Sequence, residues 1–348
     1  MQAVVLVGGE GTRLRPLTYS VPKPMAPLLG RPFIGWIIER LRRAGVDEII
    51  LSCCYLPEAI EAHFGDGRDV GVQLHYVFEE EPLGTAGAIK NALHKVKGTI
   101  FVCNGDILTG VDLVMLRDAH HRRNAIATIH TRAVDDPSQF GVVETDSDGR
   151  VLRFVEKPKA GETNARDINA GTYVLEPEAL DAIPTGQKVS IERETFPALI
   201  AQTHRVFAVS TADYWIDVGR PATYVQAHRD ILDGTFEHPI GSEVSKGVWS
   251  ASGTSLPAGV KANPPVYVGE QVSLDPGACI GPYTVLYERC KISRDAVIAN
   301  SILWSDCFVG HGSSVRDAIL GLEVVVEPQA VVEGAILGRD ERVTASNA

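Results

Sequence analysis

A chain of 348 residues suits two or three domains rather than one, and 45% hydrophobic with 22% charged residues is the balance of a soluble globular protein. The net charge of −11 argues against a nucleic-acid partner, and no apolar run reaches the roughly 18 residues a membrane span requires. The first eight residues lack the basic flank of a signal peptide and read as a buried strand. Six cysteines (53, 54, 103, 279, 290, 307) show neither CxxC nor metal-ligand spacing, so reduced, buried thiols in a cytoplasmic protein are expected.

Taken in chain order, residues 3–7, 48–53, 72–77 and 99–103 are short apolar runs that predict buried parallel strands. Residues 33–44, 57–64 and 85–96 carry the intervening helical patterns, the first ending at Ala44-Gly45. Such alternation predicts an α/β domain with a doubly wound, mostly parallel sheet, whose ligands bind beyond the strands' carboxyl ends. A hairpin follows at 141–145 and 151–155 around Ser147-Asp148-Gly149, and 221–233 reads as a helix closing the domain. Near residue 235 the texture changes. Aliphatic residues then recur every six positions at Val268, Leu274, Ile280, Leu286, Ile292 and Ile298. After one-residue slips the step resumes at Leu303, Val309 and Val315, and again at Leu320, Val326 and Val332. Small residues often stand four positions after an anchor: Ala278, Thr284, Cys290, Ala296, Ser313 and Ala330. A period of six excludes an α-helix and suits a solenoid of short strands. The pattern resembles the hexapeptide repeat of left-handed parallel β-helices, and the handedness is implied by that resemblance. The expected organisation is a catalytic domain at 1–234, a linker and lead-in at 235–264, and the coil at 265–348.

The most informative segment is Gly8-Gly9-Glu10-Gly11-Thr12-Arg13-Leu14-Arg15-Pro16-Leu17-Thr18, followed by Pro22-Lys23-Pro24. Glycines directly after a strand let backbone N–H groups approach phosphate oxygens. Arg13 can grip a phosphate through two nitrogens, and Lys23, biased to an extended conformation by Pro24, supplies a point charge. Residues 11–38 hold no acid but include Arg13, Arg15, Lys23 and Arg31, a cationic patch in an acidic chain. The absence of Gly-Lys-[Ser/Thr] separates this loop from a P-loop. The string resembles the GGxGTRLxPLT…PKP signature of sugar nucleotidyltransferases over residues 1 to about 233, and the hexapeptide tail also occurs in branches of that family.

Two further stretches end in aspartates: Asn104-Gly105-Asp106 after a predicted strand, and Tyr214-Trp215-Ile216-Asp217. Two carboxylates facing a triphosphate can hold Mg²⁺, which keeps its waters and needs one or two such ligands. The resemblance implies that Asp106 and Asp217 are the metal positions. It implies nucleotide contacts at Leu6, Gly8, Gly9, Gly11, Thr12, Arg13, Lys23, Glu80, Pro82, Gly84, Thr85, Asn104 and Gly105. It carries sugar-phosphate binding to Gly141, Glu156, Lys157 and Asn169. Arg13, Lys23, Asp106 and Asp217 would then carry catalysis, with the sugar phosphate itself as nucleophile and no Ser or Cys intermediate.

The form Glu-Pro-Leu-Gly-Thr-Ala-Gly at 81–87 looks most like mannose-1-phosphate guanylyltransferases, which implies GTP and mannose 1-phosphate. Guanylyl transfer to another sugar or cyclitol phosphate, thymidylyl transfer to glucose 1-phosphate, and a non-catalytic regulatory subunit are the alternatives. An acyltransferase, which hexapeptide coils often carry, would have only His311 as a base in the coil. The expected partners are the two small substrates and further copies of the chain through the coil. Every residue assigned to chemistry precedes 235, so a chain cut there is expected to keep a complete site.

Overall fold

The computed structural model describes residues 1–236 and 240–345, so residues 237–239 of the expected linker and 346–348 of the expected coil lie outside the described residues. The chain divides into two compact units, Met1–Glu10 with Ile34–Asp217, and Gly11–Phe33 with Val218–Ala348. This division differs from the boundary expected at 234. The helix expected to close the first domain, and residues 11–33, cluster with the coil.

In the first unit, strands β1 (Gln2–Leu6), β2 (Glu48–Cys53), β3 (Gln73–Phe78) and β4 (Ile100–Asn104) alternate with helices α1 (Phe33–Arg43), α2 (Pro57–Phe64) and α3 (Gly84–Ala92). Chain order then gives β5 (Ile107–Thr109), α4 (Leu113–Arg122), β6 (Ala127–Ala133), β7 (Gly141–Thr145), β8 (Val151–Glu156), β9 (Asp167–Leu175), α5 (Phe196–Thr203), β10 (Val206–Ser210) and β11 (Trp215–Asp217). Nine of the strands form one sheet in the order β8-β7-β9-β4-β1-β2-β3, with β6 joined to β9 and β10 to β6. Its N-terminal portion is parallel, as the buried apolar runs require, and its later additions on β9 are antiparallel. Because β1 lies between β2 and β4, the winding reverses beside β1. Leu6 pairs with both Ser52 and Asn104, so three carboxyl ends open at one level. The helices form for local reasons. In α1, Ile34, Ile37, Ile38 and Leu41 make one buried stripe, and Gly45 stops the helix at φ 84°. Pro57 opens α2, and Asp112 caps α4 by accepting from Val114 N–H and Met115 N–H at 2.9 and 3.0 Å.

In the second unit the coil is built of three parallel sheets, the arrangement of a left-handed β-helix, and every predicted anchor stacks on the next. Val268, Leu286, Leu303, Leu320 and Leu337 form one ladder. Leu274, Ile292, Val309, Val326 and Val343 form the second, and Ile280, Ile298, Val315 and Val332 the third. The slips have a physical cause. The corner bridged by Gly281-Pro282-Tyr283 in one turn is a residue shorter before Ile302 and before Ile319. The small positions Ala278, Thr284, Cys290, Ala296, Ser313 and Ala330 are all buried. The coil starts earlier than its repeat is visible: Val248–Ser250 pairs with Val266–Val268, inside the stretch read as linker. Helix α6 (Pro221–Leu232) belongs to this unit.

All six cysteines are free; Cys54 and Cys279 are half-buried rather than buried. Among the described residues no helix is long and apolar enough to cross a membrane.

Candidate active site

The open carboxyl ends of β1, β2 and β4 carry the first group of expected residues. Gly8 and Gly9 leave β1, with Gly9 exposed and open space where its side chain would stand. A Cβ on Gly8 would meet Cys54 at 3.2 Å, so the backbone runs close against the end of β2. Gly105 donates its N–H to Leu6 O at 2.9 Å, and any side chain there would strike that carbonyl. Half-buried Asn104 keeps Oδ1 buried without a hydrogen-bond partner among the described residues, an acceptor available to a ligand.

Asp106 and Asp217 come together through a short ribbon. Strands β5 and β11 pair antiparallel, and Asp217 lies directly opposite Ile107, the residue after Asp106. Both aspartates are half-buried. Among the described residues no group of three or more His, Cys, Asp or Glu could hold a metal. A pair of carboxylates fits a cation whose other ligands are water and phosphate oxygens.

The loop that carries residues 81–87 is organised by a residue just before it, which sequence reasoning left unassigned. Glu79 accepts from Ser52 Oγ at 2.8 Å and from Leu83 N–H at 2.9 Å, so it braces the loop. Glu80 and Pro82 are exposed beside it. Gly84 adopts φ 69°, and a Cβ would lie 2.7 Å from Val189 O. Thr85, expected at the nucleotide, donates its hydroxyl to Glu192 Oε2 and accepts Ile191 N–H, both at 2.8 Å. Its hydroxyl therefore ties the loop to the turn at 190–195.

That turn leads to the sugar-phosphate candidates. Glu156 ends β8 opposite Gly141, which begins β7. A side chain on Gly141 would meet the Phe154 ring at 2.7 Å and Glu156 Oε2 at 2.8 Å, so glycine is required here by its own neighbours. Lys157 is exposed, takes φ 52° and donates its N–H to Phe140 O at 3.0 Å. Burial first, and the Glu192 carboxylate second, push the Glu156 carboxyl above its ordinary range, with Lys157 and Arg193 opposing. Glu192 is thus a residue of this cluster that no local signal assigned. Within that turn Ser190 N–H donates to Glu194 Oε1 at 2.9 Å and Ser190 Oγ donates to Glu192 Oε2 at 2.8 Å, so Ser190 holds both carboxylates in place. Asn169 donates to Tyr173 Oη at 2.8 Å and accepts Gly171 N–H at 3.0 Å, which leaves one amide hydrogen and one lone pair for hydroxyls. Trp215 links this group to the aspartates: its Nε1–H donates to Ala170 O at 3.0 Å and its ring meets Phe140 edge-on at 5.6 Å. Burial raises the Cys53 and Cys103 thiols to about 12, so neither is a nucleophile at neutral pH.

The signature loop is divided after Glu10, and the rest of it is built within the second unit. Gly11 takes φ 64°, where a Cβ would meet Lys23 Cβ at 2.9 Å, and Thr18 Oγ1 donates to Gly11 O at 2.8 Å. Three short 3-10 turns follow, at Thr12–Leu14, Leu17–Tyr19 and Lys23–Met25. Lys23 was expected to be extended before Pro24. It instead opens the last turn, closed by Met25 N–H to Pro22 O at 2.8 Å, and Pro22 is the extended residue. Thr12 and Arg13 are exposed, and Lys23 is half-buried. His311, the coil's one candidate base, has Nδ1 2.9 Å from Arg294 O and serves a corner of the coil.

Known proteins resemble the chain throughout its length. The Nucleotidyl transferase family matches residues 2–234 and the GMPPB C-terminal domain residues 262–347. Mannose-1-phosphate guanylyltransferase of Mycobacterium tuberculosis is 42% identical over 278 residues, covering 76% of this chain and 77% of that one. UTP–glucose-1-phosphate uridylyltransferase of Synechocystis is 35% identical, covering 92% and 87%. The crystal structure of HddC from Yersinia pseudotuberculosis complexed with GMP-PN superposes with a TM-score of 0.56 at 32% identity, covering 66% of this chain and 98% of that one. Nucleotidyltransferases of this family generally use divalent metal ions. With these matches and a doubly wound, mostly parallel sheet, the chain belongs to the nucleotidyl transferase family of enzymes.

Proposed function

We propose that this enzyme transfers GMP from GTP to mannose 1-phosphate, giving GDP-mannose and pyrophosphate. The observation that carries the reading is the β5–β11 pairing, which sets Asp217 beside Asp106 at the end of β4, where ligands of such sheets bind. The M. tuberculosis guanylyltransferase supports the base and the sugar, and the relative solved with GMP-PN supports the base. The Synechocystis relative, named for UTP and glucose 1-phosphate, makes uridylyl transfer the competing outcome of the test.

In this reading Asp106 and Asp217 would hold Mg²⁺, which when bound neutralises charge on phosphate oxygens. Gly8, Gly9, Gly11 and Thr12 present backbone to the triphosphate, and Arg13 and Lys23 bind its oxygens. Leu6, Asn104 and Gly105, with Glu80, Pro82, Gly84 and Thr85, border the nucleotide, the last through backbone because its hydroxyl is engaged elsewhere. Lys157 binds the phosphate of the sugar phosphate, while Glu156 and Asn169 accept and donate to hydroxyls beside Gly141. A phosphate oxygen of the sugar phosphate attacks the α-phosphorus in line. The new P–O bond forms as the bond to the bridging β-phosphate oxygen breaks, and pyrophosphate carries the electron pair away. Arg13 and Lys23 neutralise that leaving group, so no proton transfer to a side chain is required. Six free cysteines support a reducing cytoplasm as the enzyme's compartment.

Pyrophosphate release from each of GTP, UTP, ATP and dTTP against mannose, glucose and heptose 1-phosphates tests the reading. Fastest turnover with GTP and mannose 1-phosphate is expected; a preference for UTP with glucose 1-phosphate overturns the specificity, and no release from any pair overturns the activity.

A further inference from the structure

The second unit contains a fully buried polar relay that the reaction above does not use. Tyr224, His228, Tyr267, Tyr287 and Trp304 are each about 1% exposed. Two belong to α6 and three to the coil, and together they surround the chain at 27–30, just after the Lys23–Met25 turn. Leu29 N–H donates to Tyr287 Oη at 2.8 Å, and Tyr287 Oη lies 2.8 Å from His228 Nε2. His228 Nδ1 lies 2.8 Å from Tyr224 O, an atom that can only accept. Nδ1 must therefore carry the proton, Nε2 accepts from the Tyr287 hydroxyl, and the hydroxyl's oxygen accepts from Leu29. On the other branch Trp304 Nε1–H donates to Tyr224 Oη at 3.0 Å, and Tyr224 donates to Pro27 O. In this assignment every donor of the relay finds an acceptor. Two contacts extend the grip: a Cβ on Gly30 would lie 2.7 Å from Tyr267 Oη, and one on Gly338 would lie 3.1 Å from Pro16 Cβ. Pro16 and the 27–30 stretch flank Lys23 in sequence, and Arg13 lies three residues before Pro16.

We infer that Tyr287, Trp304 and His228 are positioning residues for triphosphate binding: the coil fixes, through Leu29 and Pro27, the segment that bears Arg13 and Lys23. The inference rests on the proposed role of Arg13 and Lys23. It replaces the expectation that a chain ending near 235 keeps a complete site, because Leu29 would lose its coil partner Tyr287 and Tyr224 its coil partner Trp304. A relay that only held the coil together would leave nucleotide and sugar phosphate equally affected, whereas a positioning relay weakens the nucleotide selectively.

The test uses the full chain and two variants: Tyr287→Phe removes the hydroxyl that donates to His228 and accepts from Leu29 while keeping the ring, and Trp304→Phe removes the indole N–H that reaches Tyr224 while leaving a smaller aromatic ring. Tyr283→Phe is the control; its hydroxyl reaches Asp233 at 3.1 Å and not the 27–30 stretch. GTP binding by equilibrium dialysis, with magnesium present, should weaken about tenfold in each relay variant and stay unchanged in the control. The KM for mannose 1-phosphate should move less than twofold in all of them. GTP affinity equal to wild type in both folded relay variants overturns the inference, as does a parallel loss for both substrates. Failure of the wild-type enzyme to bind GTP refutes the proposed nucleotide instead, and the same comparison is then made with the triphosphate that the activity panel selects. If Tyr287→Phe does not fold, Trp304→Phe carries the comparison alone.

Discussion

Lowering the pH from 7 to 5 should remove about 2 kcal/mol of folding stability through His228 alone. The ring is 1% exposed, and burial holds its pKa at about 4 against an ordinary value of 6.5. A histidine whose folded pKa is depressed is protonated first in the unfolded chain. Its neutral form therefore supports the fold fully above the unfolded pKa, and that support is lost as the pH falls from 6.5 towards 4. At pH 5 the unfolded ring is about 1.5 pH units below its midpoint, and about 1.4 kcal/mol per unit gives the 2 kcal/mol. His130, on β6 with Nε2 3.0 Å from Thr211 Oγ1, is also held at about 4 by burial and adds a separate contribution over the same window. Urea unfolding at pH 7, 6 and 5 would measure the sum, and His228→Gln should be less stable at pH 7 yet show a pH dependence shallower by about 2 kcal/mol. An equal dependence in the variant, or an imidazole signal of His228 titrating above pH 6 in the folded enzyme, would refute the reasoning.

Asp106→Asn and Asp217→Asn should each lower turnover by roughly 10²–10⁴-fold with the circular dichroism spectrum unchanged; near wild-type rates in both, with magnesium present, would remove them from the metal site. Lys157→Ala should raise the KM for the sugar phosphate far more than that for the nucleotide, and Arg13→Ala the reverse; steady-state kinetics showing the effects exchanged would invert the orientation of the site. A chain ended after residue 235 should show a smaller oligomeric state than the parent by light scattering if the coil mediates self-association, and should bind GTP more weakly than the parent. The parent's oligomeric state would show that the coil is not the oligomerisation element, and parental affinity would contradict the anchoring role of Tyr287 and Trp304.

Elements with strong local punctuation were legible in the sequence. Helix α2 runs from Pro57 to Phe64 as read, because Pro57 suits a first turn and Gly65 can leave the helix at φ 51°. The coil was legible where its anchors are Val, Ile or Leu. It was invisible before 265 because the stacked positions there are Ser250 and Ala262, whose small side chains carry no periodic signal. Strand β9 was missed for a different reason: its pairing with β6 is interrupted between Asn169 and Tyr173, and Gly171 at φ 69° breaks the alternation that marks a strand. In the site, Asp106 and Asp217 could be read singly, but their adjacency depends on the β5–β11 pairing between residues more than a hundred positions apart. The same limit hid Glu192. Its nearness to Glu156 and its bond to Thr85 are tertiary, and from sequence a threonine in a glycine-rich loop is indistinguishable from one facing a ligand.

The comparison with HddC sharpens what the coil must do here. Nearly the whole of that chain, 98%, is matched by 66% of this one, so a protein of this fold can end without a counterpart to a third of this chain. In this chain, however, the segment from Gly11 to Phe33 clusters with α6 and the coil, and its buried Leu29 N–H and Pro27 carbonyl find their partners there. Losing the Tyr287 hydroxyl alone, with the coil in place, would leave the Leu29 N–H unpaired in the core, at a cost of about 1–3 kcal/mol. A chain that never had a coil can satisfy the same groups with local side chains or water. A chain that grew around one cannot lose it without refilling those bonds. The dependence of Arg13 and Lys23 on distant tyrosines is thus a property of this sequence's own packing, not of the fold, and the shorter length of a relative does not predict that this chain survives truncation.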